Sequence, residues 1–188
     1  MRVVAGELGG RRLVAPPGRG TRPTADKVRG ALFSSLASLI DLEGAVVVDL
    51  FAGSGALGIE ALSRGAATAT FVELDRRAAS VITRNLATLG LQWATPDRPR
   101  AAVRTADAVA LAAAPEVAGA DVVFADPPYA FDGWPRLLAH LAAGGFAGLL
   151  VAETGGPLDL PAGWDALRRK AYGSTVVTMV RPATGERS

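Results

Sequence analysis

From residue 45 onward, short apolar runs alternate with segments whose apolar residues recur every three or four positions. The short runs predict buried strands, and the periodic segments predict helices between them. Strands are predicted over residues 45–50, 68–73, 101–105, 121–126 and 148–153, and helices over 56–63, 77–89, 108–114 and 134–142. Strands that are apolar on both faces and joined by helices form a parallel sheet, so the pattern predicts an α/β fold with helices on both faces.

The end of the chain has a different pattern. Two strand-like runs, residues 164–170 and 175–181, flank the four residues Ala171-Tyr172-Gly173-Ser174. This spacing is typical of an antiparallel hairpin. A parallel sheet that ends in an antiparallel hairpin is unlike a plain dinucleotide-binding fold. The connection over residues 92–100, which contains two prolines, is the segment expected to be most mobile.

The first thirty residues are strongly basic. They hold seven lysines and arginines against two acidic residues, a net charge of +5, whereas the whole chain carries +2. Prolines favour extended backbone up to a helix that we expect to be capped by Thr24 and to end near Asp41. The sequence thus predicts a basic arm and helix, residues 1–40, ahead of a main domain, residues 41–188. Such an arm is either a solvated tail or, as we expect, a contact for phosphate groups through residues that include Arg11 and Arg12.

Composition narrows the chemistry that the chain can perform. Its 188 residues are one domain's length, and 49% hydrophobic residues support a globular core. The absence of cysteine excludes disulfides and thiol nucleophiles, and the single histidine, His140, disfavours a histidine metal cluster or a Ser-His-Asp triad. We therefore expect a site without metal. With no long apolar run and no signal-peptide pattern, we expect a cytoplasmic protein without membrane association.

A glycine-rich segment, Asp49-Leu-Phe-Ala-Gly-Ser-Gly-Ala-Leu-Gly58, lies between a predicted strand and a predicted helix. Its glycines match the G-x-G-x-x-G pattern in the context that gives the pattern meaning. Glu73 ends the next strand twenty residues after Gly53, where a carboxylate accepts hydrogen bonds from ribose hydroxyls. The segment predicts an adenosine-containing cofactor and leaves nucleotide-dependent dehydrogenases and methyltransferases open.

The acidic residue at the start of that segment favours S-adenosylmethionine. A carboxylate would repel a pyrophosphate, whereas it suits the amino group of the methionine half of this cofactor. Asp107, which follows the third strand, either accepts a hydrogen bond from the adenine amino group or caps the next helix. The candidate cofactor-binding residues are Asp49, Phe51, Gly53, Ser54, Gly55, Glu73 and Asp107.

The tetrapeptide Asp126-Pro127-Pro128-Tyr129 follows a buried strand, at the edge where open α/β sheets bind ligands. An exocyclic amine of a base is a poor nucleophile because its lone pair is delocalised into the ring. Acceptors on both amine protons favour a pyramidal, reactive nitrogen, and the Asp126 carboxylate and the Pro127 carbonyl can supply them. Pro128 restricts the backbone, and Tyr129 offers an aromatic face to a flipped base. These four residues are the candidate catalytic residues.

The motifs resemble class I S-adenosylmethionine-dependent methyltransferases, and more closely the RsmD-type guanine-N2 methyltransferases of bacterial small-subunit (16S) ribosomal RNA. The resemblance spans nearly the whole chain and rests also on Arg2-Val-Val-Ala-Gly6, Gly10-Arg-Arg-Leu13 and Arg22-Pro-Thr-Ala-Asp-Lys-Val-Arg29. It implies a Rossmann-like sheet of seven strands in the order 3-2-1-4-5-7-6, with the seventh strand antiparallel. It further implies a cofactor contact for Thr24 and RNA contacts for Arg22, Lys27 and Arg29.

The resemblance implies methyl transfer to N2 of a guanine in 16S ribosomal RNA, within a small-subunit particle, by a monomeric enzyme. Two alternatives stay open. A DNA methyltransferase acting on adenine N6 or cytosine N4 is disfavoured because no target-recognition domain accompanies the catalytic core. A nucleic-acid-binding module with a vestigial cofactor site is disfavoured because the tetrapeptide is intact. Guanine is preferred over adenine on the resemblance alone.

Overall fold

A computed structural model describes residues 1–16, 23–95 and 98–183. Short strands alternate with helices along most of the chain, as the apolar pattern predicts. The helices are α1 (Pro23–Leu36), α2 (Ala56–Ser63), α3 (Arg76–Leu89), α4 (Ala108–Leu111), α5 (Pro115–Ala118) and α6 (Trp134–Ala143). The strands are β1 (Val46–Leu50), β2 (Thr68–Glu73), β3 (Trp93–Thr95), β4 (Arg98–Pro99), β5 (Ala101–Thr105), β6 (Val122–Ala125), β7 (Leu149–Thr154), β8 (Trp164–Tyr172) and β9 (Thr175–Pro182).

Seven of these strands form one sheet in the order β5-β2-β1-β6-β7-β9-β8. The pairs among β5, β2, β1, β6 and β7 are parallel, whereas β9 runs antiparallel to both β7 and β8. Counted within the sheet, the order is 3-2-1-4-5-7-6 with the seventh strand antiparallel. The predicted fold class, a Rossmann-like sheet that ends in an antiparallel hairpin, is confirmed.

The register of the central strands determines which residues meet at the carboxyl edge. Leu50 of β1 pairs with Val72 of β2 on one side and with Ala125 of β6 on the other. Ala125 in turn pairs with Ala152 of β7. The residues that follow these four positions, Phe51, Glu73, Asp126 and Glu153, therefore lie side by side at that edge, because parallel strands share one carboxyl edge.

Two hydrophobic clusters cover the two faces of the sheet. One packs α1, α2 and α3 against strand residues such as Val47 and Phe124, and the other packs α4, α5 and α6 against residues such as Val48 and Val123. Adjacent residues of one strand thus enter opposite clusters, which explains why the strands are apolar throughout. Among the described residues, no helix is long and apolar enough to cross a membrane.

The first sixteen residues fold back on themselves and pack against α2, so the arm is not an extended lead-in. The N–H of Val3 donates to the carbonyl of Arg11 at 2.9 Å, and the N–H of Leu13 donates to the carbonyl of Met1 at 3.1 Å. Val3 and Leu13 are 1% and 6% exposed and belong to the cluster around α1–α3. The predicted division at residue 40 therefore separates two parts that share one hydrophobic core.

The structure differs locally from the predicted elements, and the helix predicted over 108–114 is replaced by α4 and, from Pro115, by the separate helix α5. Helix α1 begins at Pro23, so Thr24 lies inside the first turn and is not the N-cap; proline suits that turn because its missing N–H has no partner there. The helix ends at Leu36, earlier than the predicted end near Asp41. Just beyond it, the Ser38 hydroxyl donates to the carbonyl of Ser35 at 2.8 Å, and such a side-chain bond competes with the backbone hydrogen bonds of a helix. The predicted loop over 92–100 contains the antiparallel pair β3 and β4.

Candidate active site

A cleft of about 660 Å³ opens at the carboxyl edge of the sheet. A second cavity of about 430 Å³ lies beside it, and Phe51 and Pro128 line both. The cleft is lined by residues that include Met1, Pro16, Asp49, Gly53, Ser54, Asp126, Pro127, Tyr129, Glu153 and Thr175. The second cavity is lined by residues that include Val72, Glu73, Leu74, Asp107 and Phe131. The structure thus brings the glycine segment and the tetrapeptide to one place.

The glycine segment makes a sharp turn between β1 and α2. Phe51, Gly53 and Gly55 have φ of +62°, +57° and +78°, in the left-handed region that side chains disfavour. A Cβ on Gly58 would lie 2.4 Å from the ring of Phe71, so glycine is needed there for α2 to pack on the sheet. The predicted glycine pattern therefore has a conformational reason in the turn and a packing reason in the helix.

Asp49 lies at the base of the cleft and is 1% exposed. Its Oδ2 accepts a hydrogen bond from the N–H of Gly58 at 2.9 Å. Burial raises the pKa of Asp49 well above its ordinary value, the Gly58 hydrogen bond opposes that rise, and the carboxylates of Asp126 and Glu73 add to it. A positively charged ligand group in the cleft would relieve this repulsion.

Glu73 supports the glycine turn and faces the second cavity. Its Oε2 accepts from the N–H of Gly53 at 2.8 Å, and its Oε1 accepts from the N–H of Asp75 at 2.9 Å. Asp107 caps α4, since its Oδ1 accepts from the N–H of Ala110 at 2.8 Å, and it lines the same cavity. The capping role of Asp107 is present in the structure, whereas the adenine contact stays a prediction.

The tetrapeptide leaves β6 at the centre of the cleft. Asp126 is half-buried and Pro127 is buried, whereas Pro128 is exposed and Tyr129 is 70% exposed at the cleft mouth. A Cβ on Gly155 would lie 3.4 Å from Cδ1 of Tyr129, so the chain after β7 passes directly beside this ring. The aromatic face that the sequence predicts for a base is therefore accessible.

Glu153 is a site residue that the sequence motifs missed. It lies beside Asp126 because Ala152 and Ala125, the residues before them, pair across β7 and β6. Burial and the Asp126 carboxylate raise the pKa of Glu153 to about 7, and a hydrogen bond from the Thr175 side chain opposes the rise. The available signal was an acidic residue at the carboxyl end of the strand next to the tetrapeptide.

Asn85 was also missed, and it joins the arm to the glycine turn. Its side-chain amide donates to the carbonyls of Val14 and Ser54, both at 3.0 Å, and its Oδ1 accepts from the N–H of Val14 at 2.9 Å. The residue is 2% exposed. Ser54 also donates to Sδ of Met1 at 3.2 Å, so the arm forms one wall of the cleft. The signal in the sequence was a polar residue within the apolar stripe of α3.

Arg29, one of the predicted RNA contacts, is 5% exposed and held by the protein itself. Its guanidinium donates to Asp26 Oδ1 at 2.9 Å and to the carbonyl of Arg2, and its Nε lies 3.5 Å from Glu60 Oε2. Glu60 also accepts from the N–H of Val4 at 2.7 Å. Arg29 therefore ties the arm to α1 and α2, and we assign it this role in place of the predicted phosphate contact.

The other predicted arm residues have different placements. Arg11, Arg12 and Lys27 are exposed, and Arg11 donates to the carbonyl of Thr88 at 3.4 Å. Arg22 lies outside the described residues, and Thr24 is described only through its backbone in α1. Within the described ranges, no three histidine, cysteine or acidic side chains are grouped closely enough to hold a metal ion.

Comparison with known proteins identifies the family. The profile of the family described as "Conserved hypothetical protein 95" matches residues 1–181. The chain belongs to this family. Its relatives include ribosomal RNA small subunit methyltransferase D of Escherichia coli K12, 36% identical over 99% of this chain and 92% of the relative.

A protein of the same name from Haemophilus influenzae is 35% identical to this chain, over 92% of this chain and 89% of the relative. A hypothetical protein from Thermus thermophilus shares the fold, with a TM-score of 0.75, 31% identity and 96% and 99% of the two chains covered. The family profile runs from the arm into the final hairpin. The resemblance to RsmD-type methyltransferases is confirmed.

Proposed function

We propose that this protein transfers a methyl group from S-adenosylmethionine to the exocyclic N2 of a guanine in small-subunit (16S) ribosomal RNA. The observation that carries the proposal is the meeting of the glycine turn after β1 and the tetrapeptide after β6 in one cleft. The relatives named as ribosomal RNA small subunit methyltransferase D, matched over nearly the whole chain, support ribosomal RNA as the substrate class.

The two cavities fit the two halves of the cofactor. Val72, Leu74 and Phe131 give the smaller cavity apolar walls for an adenine ring, and the Glu73 carboxylate, which also lines it, would accept hydrogen bonds from the ribose hydroxyls. Asp49 lies in the larger cleft, where neighbouring carboxylates help to raise its pKa and favour a ligand with cationic groups. The bound cofactor would supply an electrophilic methyl group beside the tetrapeptide and leave as S-adenosylhomocysteine.

The chain's own residues activate the amine. The Asp126 carboxylate and the Pro127 carbonyl accept hydrogen bonds from the two amine N–H groups, which draws the nitrogen lone pair out of conjugation with the ring. Tyr129, exposed at the mouth, stacks on the flipped base and holds it in line with the methyl donor. The amine proton leaves after methyl transfer, with Asp126 as the nearest acceptor of the tetrapeptide. The residues present require no metal for these steps.

The partners follow from the shape and charge of the protein. The exposed cations Arg11, Arg12 and Lys27 lie on the arm and on α1, and the arm forms a wall of the cleft. They can bind RNA phosphates around the target base. A compact chain is suited to recognise the folded shape of an RNA rather than a long sequence. We therefore propose the small-subunit particle as the substrate. We also propose that the enzyme is a cytoplasmic monomer.

The proposal is tested with labelled S-adenosylmethionine and three substrates: small subunits that lack the modification, free 16S ribosomal RNA and duplex DNA. We expect N2-methylguanosine in digested RNA from the small subunits, and a weaker signal from free 16S ribosomal RNA. Label in DNA as N6-methyladenine or N4-methylcytosine would overturn the proposal in favour of the DNA enzyme. Cofactor binding without methyl transfer to any of the three would identify a binding module instead.

A further inference from the structure

Glu153 and Asp126 form a carboxylate pair at the centre of the cleft. The preceding residues, Ala152 and Ala125, pair in the parallel register of β7 and β6, and neighbouring strands lie about 4.8 Å apart. Both carboxylates line the cleft, as does Tyr129. A base stacked on Tyr129 and held by Asp126 therefore presents its adjacent ring edge to Glu153.

The Glu153 side chain is held in place. Thr175, the first residue of β9 and only 9% exposed, hydrogen-bonds to its carboxylate. Glu153 has no part in the glycine turn, the arm or the activation of the amine as described above. A half-buried acidic residue next to the reacting group, oriented by a buried hydroxyl, calls for a partner in the bound substrate.

We propose that Glu153 determines which base is methylated, by accepting a hydrogen bond from N1–H of guanine while Asp126 accepts from the neighbouring 2-amino group. This inference rests on the proposed function. Guanine presents two adjacent donors, N1–H and the 2-amine, on its Watson–Crick edge. Adenine and cytosine present an acceptor nitrogen beside their amine. Two adjacent carboxylates match the first pattern, and their charge repels the lone pair of the second.

The rise in the pKa of Glu153 to about 7 is consistent with this role, because the Asp126 carboxylate contributes to it. Two donors on one ring edge would give each carboxylate a hydrogen bond and offset their repulsion. The pair thus gives a physical reason for a preference for guanine, which the sequence motifs alone did not provide.

The test compares RNA substrates that carry guanine or 2-aminopurine at the target position. 2-Aminopurine keeps the exocyclic amine but has an acceptor at N1 in place of N1–H. At pH 8.5, where Glu153 is ionised, we expect wild-type kcat/KM to favour guanine by roughly 10- to 100-fold, on the scale of a hydrogen bond to a charged group. In Glu153→Gln the amide can donate to N1, so the preference should shrink about tenfold or more.

The matched control is Glu116→Gln, which neutralises a carboxylate that lies outside both cavities and pairs with Arg104 at 3.7 Å. It should keep the wild-type preference. Equal use of both bases by the wild type would overturn the inference, as would a Glu153→Gln variant with lowered kcat and an unchanged preference.

Two further observations keep the test decisive. Should Glu153→Gln fail to show a cooperative thermal transition, Glu153→Asp, which moves the carboxylate back by one methylene, takes its place and should likewise reduce the preference, whereas an unchanged preference would overturn the inference. Failure of the proposed function is distinguishable, because the wild type would then place no methyl group on guanine N2 in any RNA. Methylation of guanine N2 without discrimination against 2-aminopurine rejects only the role of Glu153.

Discussion

The side-chain amide of Asn85 donates to the main-chain carbonyl of Ser54 at 3.0 Å, and this bond connects α3 to the glycine turn. The same side chain makes two hydrogen bonds with the backbone of Val14. One buried residue thus fixes the arm and the glycine turn relative to each other.

Replacing Asn85 with alanine should lower the free energy of unfolding by about 2 to 4 kcal/mol, because buried backbone groups of Val14 and Ser54 lose their partners. It should also weaken binding of S-adenosylhomocysteine. Urea denaturation and calorimetry measure the two effects. Thr88→Ala, an exposed position on the same helix, is the control and should change neither quantity appreciably. A stable variant with normal binding would show that the arm is held by other contacts.

Replacing Asp126 with alanine should separate binding from chemistry. Because we propose that this carboxylate acts on the amine, kcat should fall by roughly two to four orders of magnitude, as on loss of a preorganised polar contact. Binding of S-adenosylhomocysteine should change only a few-fold. Asp132→Ala, at an exposed position in the loop after the tetrapeptide, is the matched control. An active Asp126→Ala enzyme would remove this residue from the mechanism.

Replacing Glu73 with alanine should weaken S-adenosylhomocysteine binding by about 1 to 3 kcal/mol, since charge-assisted hydrogen bonds are lost. The structure adds a second cause, because Gly53 loses the acceptor that holds its N–H. Glu73→Gln keeps one amide oxygen for that N–H and should give an intermediate dissociation constant. Calorimetry that finds the alanine variant unchanged would refute the predicted ribose contact.

The contribution of the arm to RNA binding is best tested by removing charge. Deletion of the arm would remove the buried side chains of Val3 and Leu13 and unfold part of the core. Arg11→Gln with Arg12→Gln should instead reduce the slope of log K against log salt by about 1.5, at 0.7 to 0.9 for each phosphate contact. Arg136→Gln, exposed on α6, should leave the slope unchanged. The same slope in the double variant would mean that these arginines do not contact phosphate.

The pKa of Glu153 predicts a pH dependence of stability. The folded chain keeps this proton up to about pH 7, whereas an unfolded glutamic acid releases it near 4.5. The folded state therefore binds more protons between these values, and stability falls as pH rises through that range. The wild type should lose about 2 to 3 kcal/mol relative to Glu153→Gln from pH 4.5 to 7.5. Parallel curves of stability against pH for the two proteins would contradict the raised pKa of Glu153. Asp49 is present in both proteins, so its contribution to the pH dependence cancels in the comparison.

Most of the sheet could be predicted because strands buried on both faces have continuous apolar runs, as in β1 and β6. The glycine turn and the tetrapeptide were recognisable because each is a local motif at the end of such a run. The fold of the arm was not predictable from its charge. Its partners are distant in sequence: Val4 bonds Glu60 and Val14 bonds Asn85, 56 and 71 residues away.

Buried polar residues of the site were likewise not predictable from the sequence, because their partners are distant in sequence. Asn85 interrupts the apolar stripe of α3, and Glu60 interrupts that of α2, so the pattern indicates burial without naming the partner. Glu153 became a site residue only through the register of β7 with β6. Arg29 shows the converse, because a residue counted with the exposed cations of the arm is enclosed by Asp26 and Glu60.

Phe51 and Pro128 belong to the walls of both cavities, so neither cavity can change shape at these residues without the other. Under the proposed function the methyl donor occupies both cavities and the target base enters the larger one, so a displacement of the Phe51 ring by the donor would alter the affinity for RNA. Thermodynamic linkage requires that this effect be reciprocal: the factor by which the methyl donor changes the affinity for RNA equals the factor by which RNA changes the affinity for the donor. Under the proposed function this shared wall would couple the two substrates, and exchange of S-adenosylhomocysteine for S-adenosylmethionine would then change the affinity for the RNA.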